Sequence, residues 1–158
     1  MLIGVISDTH GLLRPEALVA LAEVEHILHA GDIGRHEILD ELRKIAPVTA
    51  IRGNVDVAGA CGELARTDVV ELAGRLFYLV HSVHDLDINP VAAGVAVVVS
   101  GHSHKPSVET KGGVMYLNPG SAGPRRFSLP ITLAILELTK SGIRPVIHQL
   151  GVAKQGGR

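Results

Sequence analysis

The feature that most constrains the fold is a series of short apolar segments in the first third of the chain, separated by helical patterns. Residues 2–6, 25–30 and 48–52 are rich in Val, Ile and Leu, and each ends at a polar or glycine-containing step, as buried parallel strands do. Between them, Pro15 begins a segment with apolar residues at helical spacing, and residues 36–45 repeat the pattern. The order β-α-β-α-β predicts a parallel sheet covered by helices.

Beyond residue 66 the pattern changes to strands joined by turns. Ala73-Gly74 separates two apolar runs, and a Lys-Gly-Gly turn precedes another. The predicted strands are 69–72, 76–80, 95–99, 114–117 and 131–138. This half predicts a mainly antiparallel or mixed sheet. An α/β domain with two sheets covered by helices accommodates both halves, because each sheet buries one face on the other.

The chain has 158 residues, which fits one domain, and a domain of this size buries roughly 70% of the surface that its unfolded chain exposes. We assign residues 1–150 to that domain and 151–158 to a loose tail.

Cys61 is the single cysteine, so no intramolecular disulfide forms, which suits a reducing compartment. The first residues have no basic region and Asp8 interrupts their apolar run, so we expect a cytoplasmic protein without a membrane partner.

Charge and aromatic content disfavour nucleic acid as a partner. The 15 basic and 16 acidic residues give a formal net charge of −1, and the chain has two Tyr, two Phe and no Trp. A nuclease needs a basic channel or a stacking platform, which this composition does not supply. Nine histidines and eighteen glycines favour ligand chemistry and tight turns instead.

Polar side chains follow each of the three predicted parallel strands. Asp8 and His10 follow the first strand with the alternate spacing that points both side chains the same way. Asp32 and Asn54 follow the second and third strands, each after a glycine that permits a sharp turn. Because open α/β sheets bind ligands at the carboxyl ends of their strands, we expect these groups to converge there.

The second half adds imidazoles at strand ends in the same way. His81 follows the run 77–80, and His102 and His104 follow the run 95–99 in the sequence Gly-His-Ser-His. Two carboxylates, one amide and four imidazoles are too many ligands for one tetrahedral ion and suit two ions that share a carboxylate. Two divalent cations, two carboxylates and a hydroxide leave a net charge of about +1, which attracts a phosphate ester.

The ordered set D-x-H, G-D, G-N, H and G-H-x-H closely resembles the calcineurin-like metallophosphoesterase superfamily, and in particular its small single-domain phosphodiesterases. The resemblance covers roughly residues 2–138 and includes the turn Asn118-Pro119-Gly120-Ser121. It implies a four-layer αββα sandwich of two mixed sheets flanked by helices, with a dinuclear metal site.

Carried over by position, the resemblance makes Asp8, His10 and His104 ligands of a first ion. It makes Asn54, His81 and His102 ligands of a second, with Asp32 between the two. It also implies that a water molecule activated by both ions attacks phosphorus in line with the leaving alkoxide, and that Asn54 and His102 contact the phosphate. Mixed nitrogen and oxygen ligands suit Mn²⁺, which we favour, and also Fe, Ni, Co or Zn.

The chain departs from the family pattern at two positions. Val55 follows Asn54, where the protein phosphatases of the family carry a histidine that serves as general acid. A poor leaving group would then go unprotonated, which favours diesters or activated esters unless another acid such as His84 replaces that histidine. Ser82 follows His81, where many relatives have glycine, so the backbone there is open to change.

Ordinary structural roles compete with these assignments. Asp8, Asp32 and Asn54 each precede a helix or turn, where such residues often cap helices. We expect His26, His29 and His148 to be structural or exposed, and we leave open whether His36 and His84 touch substrate. Arg52, Arg125 and Arg126 are equally suited to a phosphate contact and to surface solvation.

The residues therefore favour a metal-dependent phosphodiesterase acting on a small or nucleotide-like phosphoester. A phosphomonoesterase acting on a small phosphate is the second hypothesis. The third is a protein-interaction scaffold, because a relative in the retromer complex carries this fold without evident need for catalysis. The scaffold hypothesis predicts that some ligand positions are eroded, and in this chain none is. A homo-oligomer is left open.

Overall fold

Two five-stranded sheets pack face to face in the computed structural model, which describes residues 1–151. The tail expected at 151–158 therefore lies, from residue 152 onward, outside the described residues. The first sheet contains, in spatial order, β10 (Gly142–Gln149), β9 (Thr132–Thr139), β1 (Leu2–Ile6), β2 (His26–His29) and β3 (Val48–Ala50). The strands β1, β2 and β3 are parallel, whereas β9 pairs antiparallel with both β1 and β10. The parallel arrangement predicted for the first third of the chain is confirmed.

The second sheet contains, in spatial order, β4 (Thr67–Leu72), β5 (Arg75–Val80), β6 (Val95–Val99), β8 (Val114–Asn118) and β7 (Ser107–Lys111). Its three central strands are parallel, and the two outer strands pair antiparallel to their neighbours. The hairpin between β4 and β5 turns at Ala73 and Gly74, whose φ angles are 50° and 78°. Two positive φ angles match the twist of a two-residue hairpin. The sheet is mixed, as the sequence predicts.

The main core lies between the sheets. Val5 and Leu28 from the first sheet pack with Phe77, Val97 and Leu117 from the second, and all are essentially excluded from solvent. Burying a side chain of this size contributes about 1.5–3 kcal/mol to folding. This layer fixes one sheet against the other and so aligns the ends of strands that belong to different halves of the chain.

Helices cover the two outer faces unequally. On the first sheet, α1 (Pro15–Ala20) buries Ala17 and α2 (Glu37–Arg43) buries Ile38 and Leu42 in a second core. On the second sheet the covering elements are a 3-10 turn at 83–85 and the four-residue α4 (Pro90–Ala93). The remaining helix, α3 (Gly59–Gly62), follows β3. The α/β sandwich is confirmed, with one thin outer layer.

Two strands are absent from the sequence prediction. Every residue of β7 is exposed, so this strand has no apolar alternation that could reveal it. The strand β10 contains Pro145, which argues against a strand except at the edge of a sheet, where β10 lies. Within residues 1–151, no helix is long and apolar enough to cross a membrane.

Candidate metal centre

The carboxyl ends of four strands meet at one edge of the sandwich. Asp8 follows β1 and Asp32 follows β2 in the first sheet, whereas His81 follows β5 and His104 follows β6 in the second. Asp32 Oδ2 lies 3.2 Å from His81 Nε2, and Asp8 Oδ1 lies 3.3 Å from His104 Nε2. The packing of the two sheets therefore joins carboxylates from one sheet to imidazoles from the other.

Asp8 lies at the centre of this cluster. Its Oδ2 accepts hydrogen bonds from Ser7 Oγ at 2.7 Å and from the backbone N–H of His102 at 3.1 Å. Its Oδ1 lies within 3.8 Å of His10, His81 and His104 nitrogens. Burial raises the pKa of Asp8. The His10 and His104 imidazoles and the Ser7 hydroxyl lower it by a larger amount, so the pKa lies well below its usual range. The carboxylate is ionised at neutral pH.

Asp32 and His81 form the second half of the cluster. Asp32 Oδ1 accepts the Val55 N–H at 2.9 Å, which leaves Oδ2 toward His81 and His10. Burial raises the pKa of Asp32, yet His81 and the Val55 N–H lower it below the ordinary value. Burial lowers the pKa of His81, and Asp32 and the Ala30 carbonyl raise it above the ordinary value. Asp32 is therefore ionised at neutral pH, and its charge favours the protonated form of His81 in the metal-free protein.

The tautomer of His81 follows from its partner. Its Nδ1 lies 2.7 Å from the carbonyl oxygen of Ala30, so Nδ1 carries the proton and donates it. The other nitrogen, Nε2, faces Asp8 and Asp32. A backbone carbonyl that holds one ring nitrogen is the usual support of a metal-binding histidine.

Backbone strain is concentrated at the predicted ligands. Seven non-glycine residues among residues 1–151 have a positive φ, and five of them are predicted ligands. These five are Asp8 (57°), His10 (46°), Asp32 (56°), His102 (71°) and His104 (63°). Left-handed backbone costs a non-glycine residue of order 1–3 kcal/mol and is found most often at functional sites. The local structure at these strand ends is therefore held by the surrounding fold.

Among residues 1–151, the buried side-chain nitrogen and oxygen atoms that lack hydrogen-bond partners also belong to this cluster, with one exception. They are Asp8 Oδ1, His10 Nε2, His81 Nε2 and His104 Nδ1, together with Arg52 Nε. Native proteins rarely leave such atoms unpaired. Two ligand atoms about 2.1 Å from one tetrahedral ion lie roughly 3.4 Å apart, close to the spacings of 3.2–3.8 Å observed between these imidazoles and carboxylates. The residues present fit divalent cations.

Two groups of side chains have ligand atoms close enough for an ion. One consists of Asp8, His10 and His104, and the other of Asp8, Asp32 and His81. The two groups share Asp8, while Asp32 Oδ2 contacts a member of each, His10 at 3.5 Å and His81 at 3.2 Å. Both carboxylates thus lie between the groups, whereas the sequence predicts that role for Asp32 alone.

Asn54 and His102 lie at the exposed rim of the cluster rather than in either group. The His102 ring stands edge-on to the His81 ring with centroids 5.3 Å apart. Asn54 lines a cavity of about 390 Å³ together with His81 and Arg52. Arg52 Nη1 donates to the carbonyl oxygen of Gly62 at 3.0 Å. His84 lines a second cavity, which His102 also borders. Arg52 and His84 are therefore beside the cluster.

Other candidates lie elsewhere. Arg126 is exposed, and no hydrogen bond or ion pair among the described residues ties its side chain to the cluster. Arg125 lines a cavity with Arg14 and Pro130. His36 lies on the surface beside Glu37 and Asp40. The structure therefore gives no support to a phosphate contact at Arg126, the alternative to surface solvation.

The histidines expected to be structural behave as such. His29 is fully buried: its Nδ1 accepts the Gly31 N–H at 3.1 Å, so Nε2 carries the proton toward Thr9 Oγ1 at 3.1 Å. Burial lowers the pKa of His29 to about 4. His26 contacts Thr49 Oγ1 at 2.8 Å, and burial lowers its pKa. His148 is exposed on β10.

Helix capping does not explain the predicted ligands. The N-cap residues of α1 and α2 are Arg14 and His36, and neither makes a side-chain capping bond. Asp32 instead accepts the Val55 N–H in the loop after β3. The capping alternative is therefore wrong for these residues.

The glycines that precede the ligands serve two different purposes. Gly31 has a φ of 102° and supplies the sharp turn expected of it. Gly53 does not have a positive φ, so the same explanation is wrong for it, and Gly101 does not have one either. A Cβ at Gly53 would overlap Asp32 Oδ1, and a Cβ at Gly101 would overlap Ser7 Oγ. These two glycines are needed for close approach of one loop to another.

Asp56 is a residue of this site that the sequence analysis missed. Its carboxylate is buried and accepts the N–H groups of Ile33 at 3.1 Å, Gly34 at 3.0 Å and Gly53 at 2.8 Å. It therefore ties the loop that carries Asp32 to the loop that carries Asn54. The available signal was an acidic residue three positions after Gly53, where a side chain can reach back to the turn's own N–H groups.

The turn at 118–121 is hydrogen-bonded to the loops that carry the predicted ligands. Gly120 has a φ of 78°, as the predicted type II turn requires. Asn118 Nδ2 donates to the carbonyl oxygen of Gly101 at 2.9 Å, and Ser121 Oγ donates to that of Asp8 at 3.0 Å. Ser82 has an extended backbone with a φ of −114°, so this position does not need glycine.

Comparison with known proteins is consistent with this geometry. A family model for the calcineurin-like phosphoesterase superfamily domain matches residues 1–141. A probable metallophosphoesterase of Methanothermobacter thermautotrophicus is 36% identical over 147 residues, which cover 85% of each chain. A phosphodiesterase of Methanocaldococcus jannaschii is 26% identical over 166 residues, which cover 93% of this chain and 99% of the relative. Wild-type Vps29 from Entamoeba histolytica in complex with zinc shares the fold, with a TM-score of 0.71 and 21% identity over 94% of this chain and 99% of that one.

Proposed function

Because the chain belongs to the calcineurin-like phosphoesterase superfamily, we propose that it is a metal-dependent phosphodiesterase that hydrolyses a small phosphoester. The observation that carries the proposal is the set of buried, unpartnered ligand atoms on Asp8, His10 and His81, with His104 Nε2 3.3 Å from Asp8 Oδ1. Hydrogen bonds within residues 1–151 do not satisfy these atoms, and divalent cations would.

Seven side chains would hold two ions. In this proposal Asp8, His10 and His104 bind the first ion, Asn54, His81 and His102 bind the second, and Asp32 is shared. Two divalent cations there would supply positive charge to the phosphoryl oxygens and an acidified water for attack on phosphorus. The donor set contains no thiolate, which favours Mn²⁺ over the softer metals while leaving Fe, Co, Ni and Zn as alternatives.

The protein's own groups would orient the substrate. Asn54 and His102 are exposed at the rim, where a phosphate oxygen can reach them. Arg52 lines the cavity next to Asn54 and His81, and its Nη1 donates to the carbonyl oxygen of Gly62. The remaining N–H groups at the end of the guanidinium suit a phosphate oxygen. Asp56 and the Ala30 carbonyl would keep the loops and the His81 ring in position.

A diester is favoured over a monoester because of the residue that follows Asn54. Val55 is 48% exposed at the rim and its side chain cannot donate a proton. An alkoxide that leaves from an alkyl monoester would then receive no proton from this position. His84, which borders the second cavity with His102, is the candidate substitute on that side. The likeness to a protein named as a phosphodiesterase supports the same choice.

A non-catalytic scaffold is the second candidate, and the structural likeness to Vps29 is the observation that favours it. A non-catalytic role would not require strained backbone at five predicted ligands. It would also not require a His81 ring oriented by the Ala30 carbonyl. These features favour catalysis in this chain.

The test compares bis-p-nitrophenyl phosphate with p-nitrophenyl phosphate, using metal-stripped protein with and without added Mn²⁺. We expect metal-dependent hydrolysis with a higher kcat/KM for the diester. Cleavage of the monoester alone would contradict the argument from Val55. Absence of cleavage by protein with confirmed metal content would support the scaffold. Asp68→Asn changes an exposed carboxylate on β4. It is the control variant and should hydrolyse both substrates as the wild type does.

A further inference from the structure

A second cavity of about 210 Å³ opens next to the candidate metal centre. His102 and Gly101 border it on the side of the cluster, and His84 borders it on the side of the 3-10 turn. A group bound to phosphorus near His102 would therefore enter this cavity without crossing any strand. The cavity is a candidate for the part of the substrate that gives the enzyme its specificity.

The floor of the cavity is the outer face of β7 and β8. Ser107, Glu109 and Lys111 occupy alternate positions of β7, so their side chains point to one face. Tyr116 is the direct cross-strand partner of Glu109, and Asn118 is the partner of Ser107. Partners in an antiparallel pair share a face. All five residues line the cavity.

Helical cover is thin on this part of the second sheet. The four-residue α4 lies against β6, its Val91 reaches Gly112 in the turn between β7 and β8, and the apolar side chains Leu86 and Ile88 pack over the outer face near Tyr78 and Val98. Every residue of the edge strand β7 is exposed. An edge of exposed polar side chains beside a predicted metal centre fits a substrate subsite better than a packing surface.

Two residues that line the cavity, Glu109 and Lys111, have opposite charges. Lys111 Nζ lies 3.5 Å from Glu109 Oε1, with the two side chains 67% and 61% exposed. An ion pair this exposed contributes little to stability, so both groups are free to take other partners. Lys111 Nζ also lies 5.1 Å from the centre of the Tyr116 ring.

This combination suits a group that carries several hydroxyls. A carboxylate accepts hydrogen bonds from hydroxyls, an ammonium donates to them, and the serine hydroxyls of the lining do both. An aromatic ring packs against the C–H face of a sugar or polyol. A second phosphate would meet the Glu109 carboxylate, and a large apolar group would lie against the charges of Glu109 and Lys111.

The size of the cavity limits the ligand further. Pockets for drug-sized ligands have volumes of roughly 300–1,000 Å³, and this one is smaller. It has room for one ring or a short polyol.

We propose that this cavity binds one alcohol arm of the phosphodiester, and that this arm is a polyhydroxylated group the size of glycerol or a pentose. Glu109 and Lys111 are its specificity-determining residues, with Tyr116 beneath it. The inference rests on the proposed function, because it assigns a substrate class to that reaction.

The first test uses p-nitrophenyl phosphodiesters whose second arm is glycerol, ribose or methyl, with the metal-loaded protein. We expect Glu109→Gln to lower kcat/KM for the glycerol or ribose diester by about tenfold or more, since a hydrogen bond to a charged group is lost. The methyl diester should change less than about twofold, because it does not use the lost bond. Glu71→Gln removes a carboxylate from exposed β4 of the same sheet and should change none of the three.

Equal losses on all three diesters, or no loss on the hydroxylated ones, would overturn the subsite. Failure of the wild-type protein to cleave any of them with metal bound would instead contradict the proposed function. The two failures are therefore distinguishable.

The second test does not depend on activity. The chain has two tyrosines and no tryptophan, and Tyr78→Phe would leave Tyr116 as the only tyrosine. We expect ribose 5-phosphate or glycerol 3-phosphate to change the tyrosine fluorescence saturably, and the added Glu109→Gln change to weaken that binding about tenfold or more. Binding that is unaffected by Glu109→Gln, or no saturable change with either ligand, would overturn the subsite.

Discussion

Asp8 and His104 come from opposite halves of the chain, yet Asp8 Oδ1 lies 3.3 Å from His104 Nε2. Asp8 follows β1 of the first sheet, and His104 follows β6 of the second. The contact exists because the core between the sheets aligns the carboxyl ends of their parallel strands. The candidate metal centre is thus a product of sheet packing, and metal binding should be coupled to the stability of the whole sandwich.

Removal of metal should lower the thermal stability. Each ion at 100 times its dissociation constant stabilises the folded state by about 2.7 kcal/mol. For a domain of this size that corresponds to roughly 5–10 °C in Tm per ion. Scanning calorimetry of the metal-loaded protein with and without a chelator measures the difference. An unchanged Tm after confirmed metal removal would contradict a site preformed from these residues.

Asp32→Asn should lower metal content and activity together. The substitution removes one of the two carboxylate charges that lie between the imidazoles of His10 and His81, and repulsion between two close cations is then poorly offset. Elemental analysis of purified wild type and variant gives the metal content. Asp68→Asn is the control. Wild-type metal content in Asp32→Asn would refute the role given to this carboxylate.

Asp56→Asn should loosen two loops at once. The carboxylate accepts three backbone N–H groups, and an amide nitrogen would face at least one of these donors. The loss of charge-assisted bonds should reduce the free energy of unfolding by about 2–3 kcal/mol. Urea unfolding measures that change.

Metal affinity of Asp56→Asn should also fall, because the loops that carry Asp32 and Asn54 depend on Asp56. A titration with Mn²⁺ at a temperature where the variant is folded separates this effect from unfolding. Loss of stability with unaltered metal affinity would mean that Asp56 does not position the ligands.

The stability of the metal-free protein should depend on pH through His29. The folded pKa, about 4, lies below the ordinary value of 6.5, so the stability that the neutral ring contributes is present above pH 6.5. It is lost as the pH falls from 6.5 toward 4, because the unfolded chain then binds a proton that the folded ring excludes. The loss reaches about 3 kcal/mol at pH 4.

The comparison variant for this effect is His29→Asn, whose side-chain oxygen can still accept the Gly31 N–H. Denaturant unfolding from pH 7 to pH 4 in the presence of a chelator should give a smaller loss in the variant than in the wild type. Parallel stability profiles would show that His29 is not the titrating group.

Sequence patterns predict the buried strands and even the edge strands β3 and β4, but they miss two edge strands. The apolar runs of β1 and β6 are clear in the sequence, whereas β7 is exposed throughout and β10 carries Pro145. These two strands are specified by pairing with their neighbours, so a local apolar pattern does not reveal them.

At the site, sequence predicts the polar residues at strand ends but not how they are held. The proton on His81 Nδ1 depends on Ala30 of the other sheet. The close approach that requires Gly101 depends on Ser7, far away in the chain. The two cavities depend on loops whose conformations are set by tertiary packing, so their linings at Arg52 and Glu109 follow only from the structure.

The most direct test of the proposed function is a titration of metal-free protein with Mn²⁺, in which bound metal and hydrolysis of bis-p-nitrophenyl phosphate are measured in the same samples. The account predicts that hydrolysis rises with bound metal and levels off near two ions per chain. Hydrolysis that persists in metal-free protein, or that stays absent when two ions are bound, would contradict it.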